Sequence, residues 1–366
     1  MKIRVSKDKM LEGLQQVQSV ISTRTTLPIL QNVLIQARGE GKIELSTTDL
    51  DVGITCQIEA QVLEAGATTL PARRLLSIVR ELPSNEIDLE TDTKDFASIR
   101  SGQSFFKING LSSEEFPPFP KLENARQITV EQALLKDMFK KTSYAISHDE
   151  TRYVLNGVLM SFKEKKIMMV ATDGRRLALA ESDVEFAKSQ EIDIIIPTKT
   201  LNEMQRLLKE EGNITLSLTE NKIRFEIDNT LLISKLVEGN YPNYRQVIPS
   251  ETKERITLDR ETLLTTLRRV SLLTSEKSSS VKLNFSKDSL NISANTPEVG
   301  EARETLAVKY RGKEFAIAFN PEYLMDALKN LSSDEIHMDF VDELSPGVMR
   351  IDSSTFLYVI MPMRVA

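Results

Sequence analysis

The 366-residue sequence predicts an α+β fold of three repeated domains, each with two helices packed on antiparallel sheets and about eight strands. Three features each occur three times at nearly constant spacing: an alternating strand-like segment, a proline between a strand and a helix, and a strand that leads into an amphipathic helix. Because a repeat at fixed spacing reports copies of one structural unit, it decides the architecture before any single motif is considered.

The alternating segment is the clearest of the three. It reads IELSTTD at residues 43–49, IMMVATD at 167–173 and LNISANT at 290–296, at offsets of 124 and 123 residues. Alternation of apolar and polar residues is typical of a strand with one buried face. The residues predicted to face inward are Ile43 and Leu45, Ile167 and Met169, and Leu290 and Ile292.

The second feature is a proline that follows an apolar strand. Pro71, Pro197 and Pro321 occur at offsets of 126 and 124 residues. Proline suits the first turn of a helix, where its missing N–H loses no hydrogen bond. We therefore expect each proline to open a helix, and the three helices to run to about Glu81, Glu211 and Asn330.

The third feature begins each copy, and an aromatic corner ends two of them. Short strands that end at Val5, Val130 and Leu258 lead into helices predicted at 7–20, 131–146 and 259–273, with apolar residues at helical spacing. The corners read FPPF at 116–119 and YPNY at 241–244, and proline in them cannot continue a ladder. These landmarks predict domains at 1–125, 126–252 and 253–366.

Composition excludes several classes of protein. The chain has 47 basic and 53 acidic residues, a formal charge of -6, and no apolar run near the roughly 18 residues of a membrane span. One cysteine and two distant histidines exclude an internal disulfide and a histidine-rich metal site. We expect a cytoplasmic protein. An acidic total argues at first against nucleic acid, although the six predicted helices carry 15 basic and 12 acidic residues and are locally positive.

Several segments resemble a known family. They read HDETRYVLNGVLMSFKEKKIMMVATDGRRL at 148–177, YVIMPMRV at 358–365, RTTLPIL at 24–30, GATTLPAR at 66–73 and SKLVEGNYPNY at 234–244. They are similar to segments of the bacterial replicative sliding clamp, the beta subunit of DNA polymerase III, over the whole chain. The resemblance implies a head-to-tail homodimeric ring of six domains, with helices lining a hole for double-stranded DNA.

Helix geometry agrees with a dimer. At about 10 Å between axes, a circle of six helices leaves an opening of roughly 9 Å, and twelve helices leave about 28 Å. The groove depths of B-DNA alone sum to about 16 Å. Two chains can therefore encircle a duplex, whereas one cannot. Such a ring needs only a weakly positive lining, because many tight phosphate contacts would hinder sliding.

The resemblance implies a set of DNA-facing residues. They are Arg24, Arg73, His148, Asp149, Arg152 and Tyr153. Arginine and histidine can touch phosphate and Tyr153 can stack, but from the residues alone Arg73 is equally a solvated helix residue and His148 a surface-loop residue. Asp149 departs from the uncharged residue common in the family, and its charge would repel phosphate.

The resemblance also implies a hydrophobic cleft between the second and third domains that receives short linear peptides from polymerases, the clamp loader and repair proteins. The matching residues are Leu155, Thr172, Gly174, Arg175, Arg176, Leu177, Pro242, Val247, Asn320, Tyr323, Val359, Ile360, Met361, Pro362, Met363 and Arg364. Flexible methionines are typical of promiscuous binding surfaces. Ordinary core packing is the alternative for Leu155, Leu177 and Val359, and Arg175 replaces a histidine of some members.

For the ring seam, the family pairs an edge strand of the first domain with one of the third. The candidate contacts are Phe106 and Ile108 against Leu272 and Leu273, and the alternative is that all four are core.

An enzyme is the rival class. Asp88, Glu90 and Asp92, or Asp49 with Asp51, would suit a metal-dependent hydrolase. Solvated strand faces explain both sets more simply, and no phosphate-binding loop, HExxH, GxSxG or CxxC motif occurs. The prediction is a non-catalytic processivity factor without cofactor or metal, whose partners are duplex DNA, a second copy of the chain and replication proteins, with no membrane.

Overall fold

The structure is a computed structural model that describes residues 1–21, 26–39, 41–275, 279–353 and 355–364. Its chain divides into two compact units. The first contains Met1–Leu135 and Lys199–Leu236, and the second contains Lys136–Thr198 and Val237–Ala366. Each unit therefore combines stretches from two of the three sequence copies.

Six α-helices occur in the described residues, two in each sequence copy. They are α1 (Lys7–Val17), α2 (Ala72–Glu81), α3 (Gln132–Thr142), α4 (Thr198–Leu207), α5 (Arg260–Val270) and α6 (Pro321–Asn330). Helix α1 packs on α2, and α5 packs on α6. Asp259 caps the first turn of α5 by accepting from the N–H of Thr262 at 2.7 Å. The backbone N–H groups of a first turn have no carbonyl partner within the helix, so this bond satisfies one of them.

The strands follow the same threefold pattern. The first copy holds β1 (Lys2–Ser6), β2 (Asn32–Ala37), β3 (Lys42–Thr48), β4 (Val52–Glu59), β5 (Gln61–Glu64), β6 (Gly66–Pro71), β7 (Glu86–Thr91), β8 (Phe96–Ser101) and β9 (Ser104–Asn109). The second holds β10 (Arg126–Glu131), β11 (Gly157–Lys163), β12 (Lys166–Thr172), β13 (Arg176–Asp183), β14 (Ile192–Pro197), β15 (Asn213–Leu218), β16 (Lys222–Ile227) and β17 (Thr230–Lys235). The third holds β18 (Glu254–Asp259), β19 (Val281–Ser286), β20 (Ser289–Thr296), β21 (Gly300–Ala307), β22 (Phe315–Phe319), β23 (Glu335–Phe340), β24 (Gly347–Arg350) and β25 (Phe356–Ile360).

Each unit has one eight-stranded sheet and one smaller sheet, all antiparallel where strands pair. In the first unit the orders are β10-β15-β16-β17-β4-β3-β2-β6 and β5-β1-β7-β8-β9. In the second they are β14-β11-β12-β13-β25-β24-β23-β18 and β21-β20-β19-β22. The large sheets join two sequence copies edge to edge, through β4 with β17 and through β13 with β25.

The three alternating segments are confirmed as strands β3, β12 and β20. All six residues predicted to face inward are almost completely buried. The fold class, with three copies of two helices on antiparallel sheets, is therefore confirmed.

Two details differ from the expectation. Pro71 and Pro197 are the last residues of the edge strands β6 and β14, and only Pro321 is the first residue of a helix. An edge strand tolerates proline because one side of its backbone needs no ladder partner. Helix α4 ends at Leu207 rather than near Glu211, because the N–H of Lys209 donates to the side-chain oxygen of Gln132 at 3.0 Å instead of to a carbonyl of the helix. Among the described residues, no helix is long and apolar enough to cross a membrane.

Candidate functional site

The centre of the candidate peptide cleft is a tight turn between β12 and β13. The hydroxyl of Thr172 donates to the carbonyl of Arg176 at 2.6 Å, and one carboxylate oxygen of Asp173 accepts from the N–H groups of Arg175 and Arg176 at 2.8 and 3.0 Å. Gly174 has a φ of +86°, a conformation that glycine adopts without steric cost. The turn is thus held by its own polar side chains, with Gly174 and Arg175 exposed at its tip.

Arg176 is a buried charge with a complete set of partners. Its guanidinium donates to Asp173 at 3.0 Å, to Asp326 of α6 at 2.6 Å and to the carbonyl of Tyr144 at 2.7 Å. It also lies 4.4 Å from the centroid of the Tyr323 ring. A buried charge is tolerated when it is paired and hydrogen-bonded in this way. Arg176 therefore fixes the turn to α6.

The phenols around Arg176 are neutral at physiological pH. Burial raises the pKa of Tyr144 and that of Tyr358 well above their usual range. Burial alone would lower the pKa of Arg176, but the hydrogen-bonded Asp326 and the charge of Asp173 counteract it, and that pKa is raised as well. The hydroxyl of Tyr358 donates to the carbonyl of Tyr323 at 2.9 Å, which connects β25 to α6.

The floor of the cleft is apolar. Leu177 and Val359 face each other on paired strands and belong to one buried cluster with Leu159, Val170, Ile195, Val348 and Leu357. Tyr241 and Tyr244 pack against this cluster from the aromatic corner. Leu155 is also buried. Leu155, Leu177 and Val359 therefore pack as ordinary core residues would. Residues at the floor of a cleft would be buried in the same way, so burial does not distinguish the two interpretations.

Backbone hydrogen bonds tie the segment after β25 to the turn and to β22. Ile360 is buried at the end of β25, and the N–H of Met361 donates to the carbonyl of Arg175 at 2.9 Å. The N–H of Met363 donates to the carbonyl of Ala318 at 2.7 Å. Met361 and Met363 remain 43% and 37% exposed, and Arg364 is exposed. The tail backbone is therefore tied down while its thioethers stay available.

The remaining cleft candidates lie around this tail. Asn320 caps α6, because its side-chain oxygen accepts from the N–H of Glu322 at 2.9 Å. Pro242 and Val247 are exposed after β17, and a cavity of about 290 Å³ is lined by Val247, Met361 and their neighbours. All described cleft candidates belong to the second unit.

The candidate DNA-facing loop precedes β11. His148, Asp149, Arg152 and Tyr153 are all exposed, Tyr153 by 59%. The Asp149 carboxylate caps a short 3-10 turn by accepting from the hydroxyl and N–H of Thr151 at 2.6 and 3.0 Å, and these bonds lower its pKa. It also pairs with Arg152 at 3.6 Å. Asp149 therefore has a local structural role, and part of the Arg152 charge is already neutralised.

The other two candidates lie in the first copy. Arg73 is exposed on α2, beside the equally exposed Arg74. Its guanidinium is therefore open to solvent on the helix surface. Arg24 lies outside the described residues.

The seam candidates differ among themselves. Phe106 and Ile108 lie on β9, an edge strand of its sheet, but Phe106 is 38% exposed whereas Ile108 is 7% exposed and packs as core. Leu272 is 75% exposed and Leu273 half-buried, and both belong to a 3-10 turn after α5 rather than to a strand. Phe105, beside Phe106, is more exposed than either β9 candidate.

Sequence reasoning also missed Asp173 and Asp326 as partners of Arg176. Asp173 precedes a glycine in a turn, which is a usable signal for side-chain-to-backbone bonding. Asp326 is 150 residues from Arg176, and nothing local marks that pair.

Three family models match nearly the whole chain. The N-terminal domain of the DNA polymerase III beta subunit matches residues 1–120, its central domain residues 129–243 and its C-terminal domain residues 245–364. The chain belongs to the DNA polymerase III beta subunit family. Its function is that of a DNA sliding clamp, which is a non-catalytic processivity factor rather than an enzyme.

Curated relatives and solved structures agree with the family. The beta sliding clamp of Chlamydia muridarum is 37% identical over 365 residues, which are 100% of this chain and 99% of the relative. The crystal structure of the DNA polymerase sliding clamp from Bacillus subtilis has a TM-score of 0.96 at 31% identity, with full coverage of both chains. A sliding clamp from Bartonella birtlesii bound to griselimycin has a TM-score of 0.95 at 35% identity, again with full coverage.

The hydrolase alternative finds no support in this family. Its carboxylates have local partners: Asp88 pairs with Arg4 at 2.7 Å, Glu90 pairs with Lys2 at 3.3 Å, and Asp92 accepts from two N–H groups of the following turn. Asp49 accepts from the backbone of its own turn and pairs with Lys199. These contacts give each carboxylate a structural function.

Proposed function

We propose that two copies of this chain close head to tail into a ring around double-stranded DNA and tether replication proteins to it. The observation that carries the proposal is the match of all three family domains, in order, along the whole chain. Retention then depends on topology, so a net charge of -6 is compatible with a DNA partner.

The test of this proposal separates topology from affinity. The protein is loaded onto circular DNA, moved into high salt, and the circle is then cut once. High salt weakens phosphate contacts. We expect release only after the cut; release from intact circles at the same rate would refute an encircling ring.

We propose that the seam pairs β9 of one chain with β21 of the next. Both are edge strands with unpaired backbone on one side, and Phe106 and Leu272 supply exposed apolar surface near them. Light scattering of the wild type is expected to give twice 41.3 kDa. Phe106→Glu should give the monomer, whereas Leu63→Glu, on the opposite edge strand of the same sheet, should leave the dimer intact.

We infer that Arg73, Arg152, His148 and Tyr153 face the duplex, and that Arg24 belongs with them. Each described member is exposed. Arginine or histidine near a phosphate contributes to DNA binding without recognising the base sequence. The charge of Asp149 opposes this, so Asp149 is the weakest member of the set.

We propose that partner proteins insert short linear motifs into the cleft formed by the turn at Thr172–Leu177, the floor at Leu177 and Val359, and the chain end. A rigid apolar floor beside adaptable thioethers supports a site that accepts several peptides. Replicative polymerase, clamp loader and repair proteins are the expected partners.

Removing residues 361–366 tests the cleft. The deletion removes both methionines and the tail bonds to Arg175 and Ala318, so binding of a polymerase-derived peptide should be lost. The dimer should persist, because the proposed seam lies elsewhere in the sequence. Unchanged peptide affinity in the truncated dimer would locate the site outside this tail.

The remaining assignments follow from this function. We propose domain boundaries at 1–125, 126–252 and 253–366. The gap between the family models at 120 and 129 supports the first boundary, whereas the C-terminal model begins at residue 245, before the second. We also propose a cytoplasmic location, where replication takes place in bacteria, and no cofactor.

A further inference from the structure

The first unit contains a second copy of the turn that forms the cleft. The hydroxyl of Thr48 donates to the carbonyl of Val52 at 3.0 Å, and the N–H of Leu50 donates to that hydroxyl at 3.0 Å. Asp49 accepts from the N–H groups of Asp51 and Val52 at 3.0 and 2.8 Å. Leu50 has a φ of 81°, close to the value at Gly174 in the second unit. The two turns therefore have the same backbone and hydrogen-bond design.

The strand beside the turn is also repeated. Gly53 pairs with Ile233 of β17, as Leu177 pairs with Val359 of β25. The N–H of Lys235 donates to the carbonyl of Asp51 at 2.9 Å, and the corresponding bond from Met361 to Arg175 has the same length. The first unit thus contains a groove that is built in the same way as the proposed peptide cleft of the second unit.

The two grooves differ at the floor position that directly follows the turn. Where the second unit has Leu177, the first has Gly53, and a Cβ placed there would lie 2.0 to 3.0 Å from three atoms of the Phe119 ring. Phe119 therefore occupies the space that a side chain would need. Its counterpart in the second unit, Tyr244, also packs against the floor cluster but leaves room for the Leu177 side chain, and its hydroxyl donates to the sulfur of Met168 at 3.2 Å.

The segment around Phe119 fills the first groove. Pro117, Pro118, Phe119 and Pro120 all line the space beside Thr48–Gly53 and Ile233–Lys235, and the volume left is only about 80 Å³. Phe116 anchors the segment in a small cluster with Ile29, Leu30 and Leu34, against which Phe119 also packs. Proline lowers the entropy that such a segment loses on binding, so it is a well-suited occupant.

We propose that residues 116–120 are an internal ligand that keeps a latent peptide groove in the first unit closed. The groove would accept a short peptide with an aromatic ring placed between prolines, of the kind the chain itself supplies. By closing it, Phe119 confines partner capture to the second unit. This inference rests on the proposed function, because it compares the first groove with the proposed peptide cleft. The contacts of Phe119 themselves lie entirely in the first unit.

The test uses the full chain and a synthetic peptide of residues 115–121, EFPPFPK, with blocked ends. Binding is followed by methyl NMR of Ile233, beside Gly53, up to about 2 mM peptide, since an isolated contact of this size is expected near the millimolar range. Phe119→Ala should show saturable shifts at Ile233, at least tenfold larger than in the wild type, where the internal segment competes.

Two controls locate the binding. Adding Gly53→Leu to the Phe119→Ala variant introduces the side chain that the second unit has at Leu177. This side chain would occupy the space of the peptide ring, so the shifts should be abolished. The peptide EFPPAPK, without the second ring, should also fail to bind Phe119→Ala. If Phe119→Ala does not unfold cooperatively, Phe119→Leu, which retains part of the packing, serves the same measurement.

Equal methyl shifts of Ile233 in the wild type and in Phe119→Ala would overturn the inference. So would the absence of shifts in a folded Phe119→Ala or Phe119→Leu variant. The proposed function has a separate readout, because a polymerase-derived peptide should shift the methyl signals of Val359 in the wild type whatever happens at Ile233. Failure of one result therefore does not imply failure of the other.

Discussion

The turns at Thr48–Gly53 and Thr172–Leu177 have the same backbone hydrogen bonds, but their side chains make different contacts. In the second unit Arg176 holds α6 through Asp326, and Leu177 forms an apolar floor. In the first unit Val52 replaces the arginine, and Gly53 admits the ring of Phe119. One repeated turn therefore carries either a buried arginine network beside an apolar cluster or a glycine that leaves room for an aromatic ring.

The largest expected difference concerns Arg176. Arg176→Ala should destabilise the protein by about 3 kcal/mol, because it removes one member of a buried charge network and leaves Asp173 and Asp326 without their partner. Urea unfolding measures this loss. Arg175→Ala, at the exposed neighbour, should change the free energy of unfolding by less than about 0.5 kcal/mol. A loss below about 1 kcal/mol for Arg176→Ala would show that the network does not hold the second turn.

A smaller effect compares the turn tips. Gly174→Ala should cost about 1–2 kcal/mol, since φ is positive there and the added Cβ would meet a guanidinium nitrogen of Arg152 at 3.0 Å. Leu50→Ala, at the same position of the first turn, should cost less than about 0.5 kcal/mol because the wild type already has a Cβ in that conformation. Equal losses in urea unfolding would contradict the equivalence of the two turns.

The smallest effect is a pH dependence near the second turn. Hydrogen bonds from Thr151 lower the pKa of Asp149, so its stabilising contribution is present above the unfolded pKa of about 3.9 and is lost as pH falls through the lower folded value. Asp149→Asn should therefore be slightly less stable than the wild type at pH 7, and the difference should vanish near pH 2. Thermal unfolding at both pH values measures it; a difference that grows in acid would mean that the carboxylate is not the acceptor that matters.

Much of this fold was predictable from local pattern. Strands such as β12 alternate visibly, and Met169 is buried as its spacing requires. What the sequence did not reveal is non-local: the pairing of β4 with β17 joins two copies, and Arg176 meets Asp326 across 150 residues. Local periodicity carries no information about such pairs.

The candidate site shows the same limit. The family resemblance supplied the cleft candidates, but it could not reveal that Asp149 is a cap or that Ile108 is buried while Phe106 is not. Those outcomes depend on how each side chain packs against residues from other strands. Gly53 likewise looks like an ordinary strand glycine until the ring of Phe119 is seen beside it.

Calorimetric titration of the wild-type dimer with a polymerase-derived peptide tests most directly the claim that only the second unit presents an open cleft. We expect one bound peptide per chain, and none after removal of residues 361–366. Two peptides per wild-type chain, or one that still binds after the truncation, would show that a site exists outside this cleft.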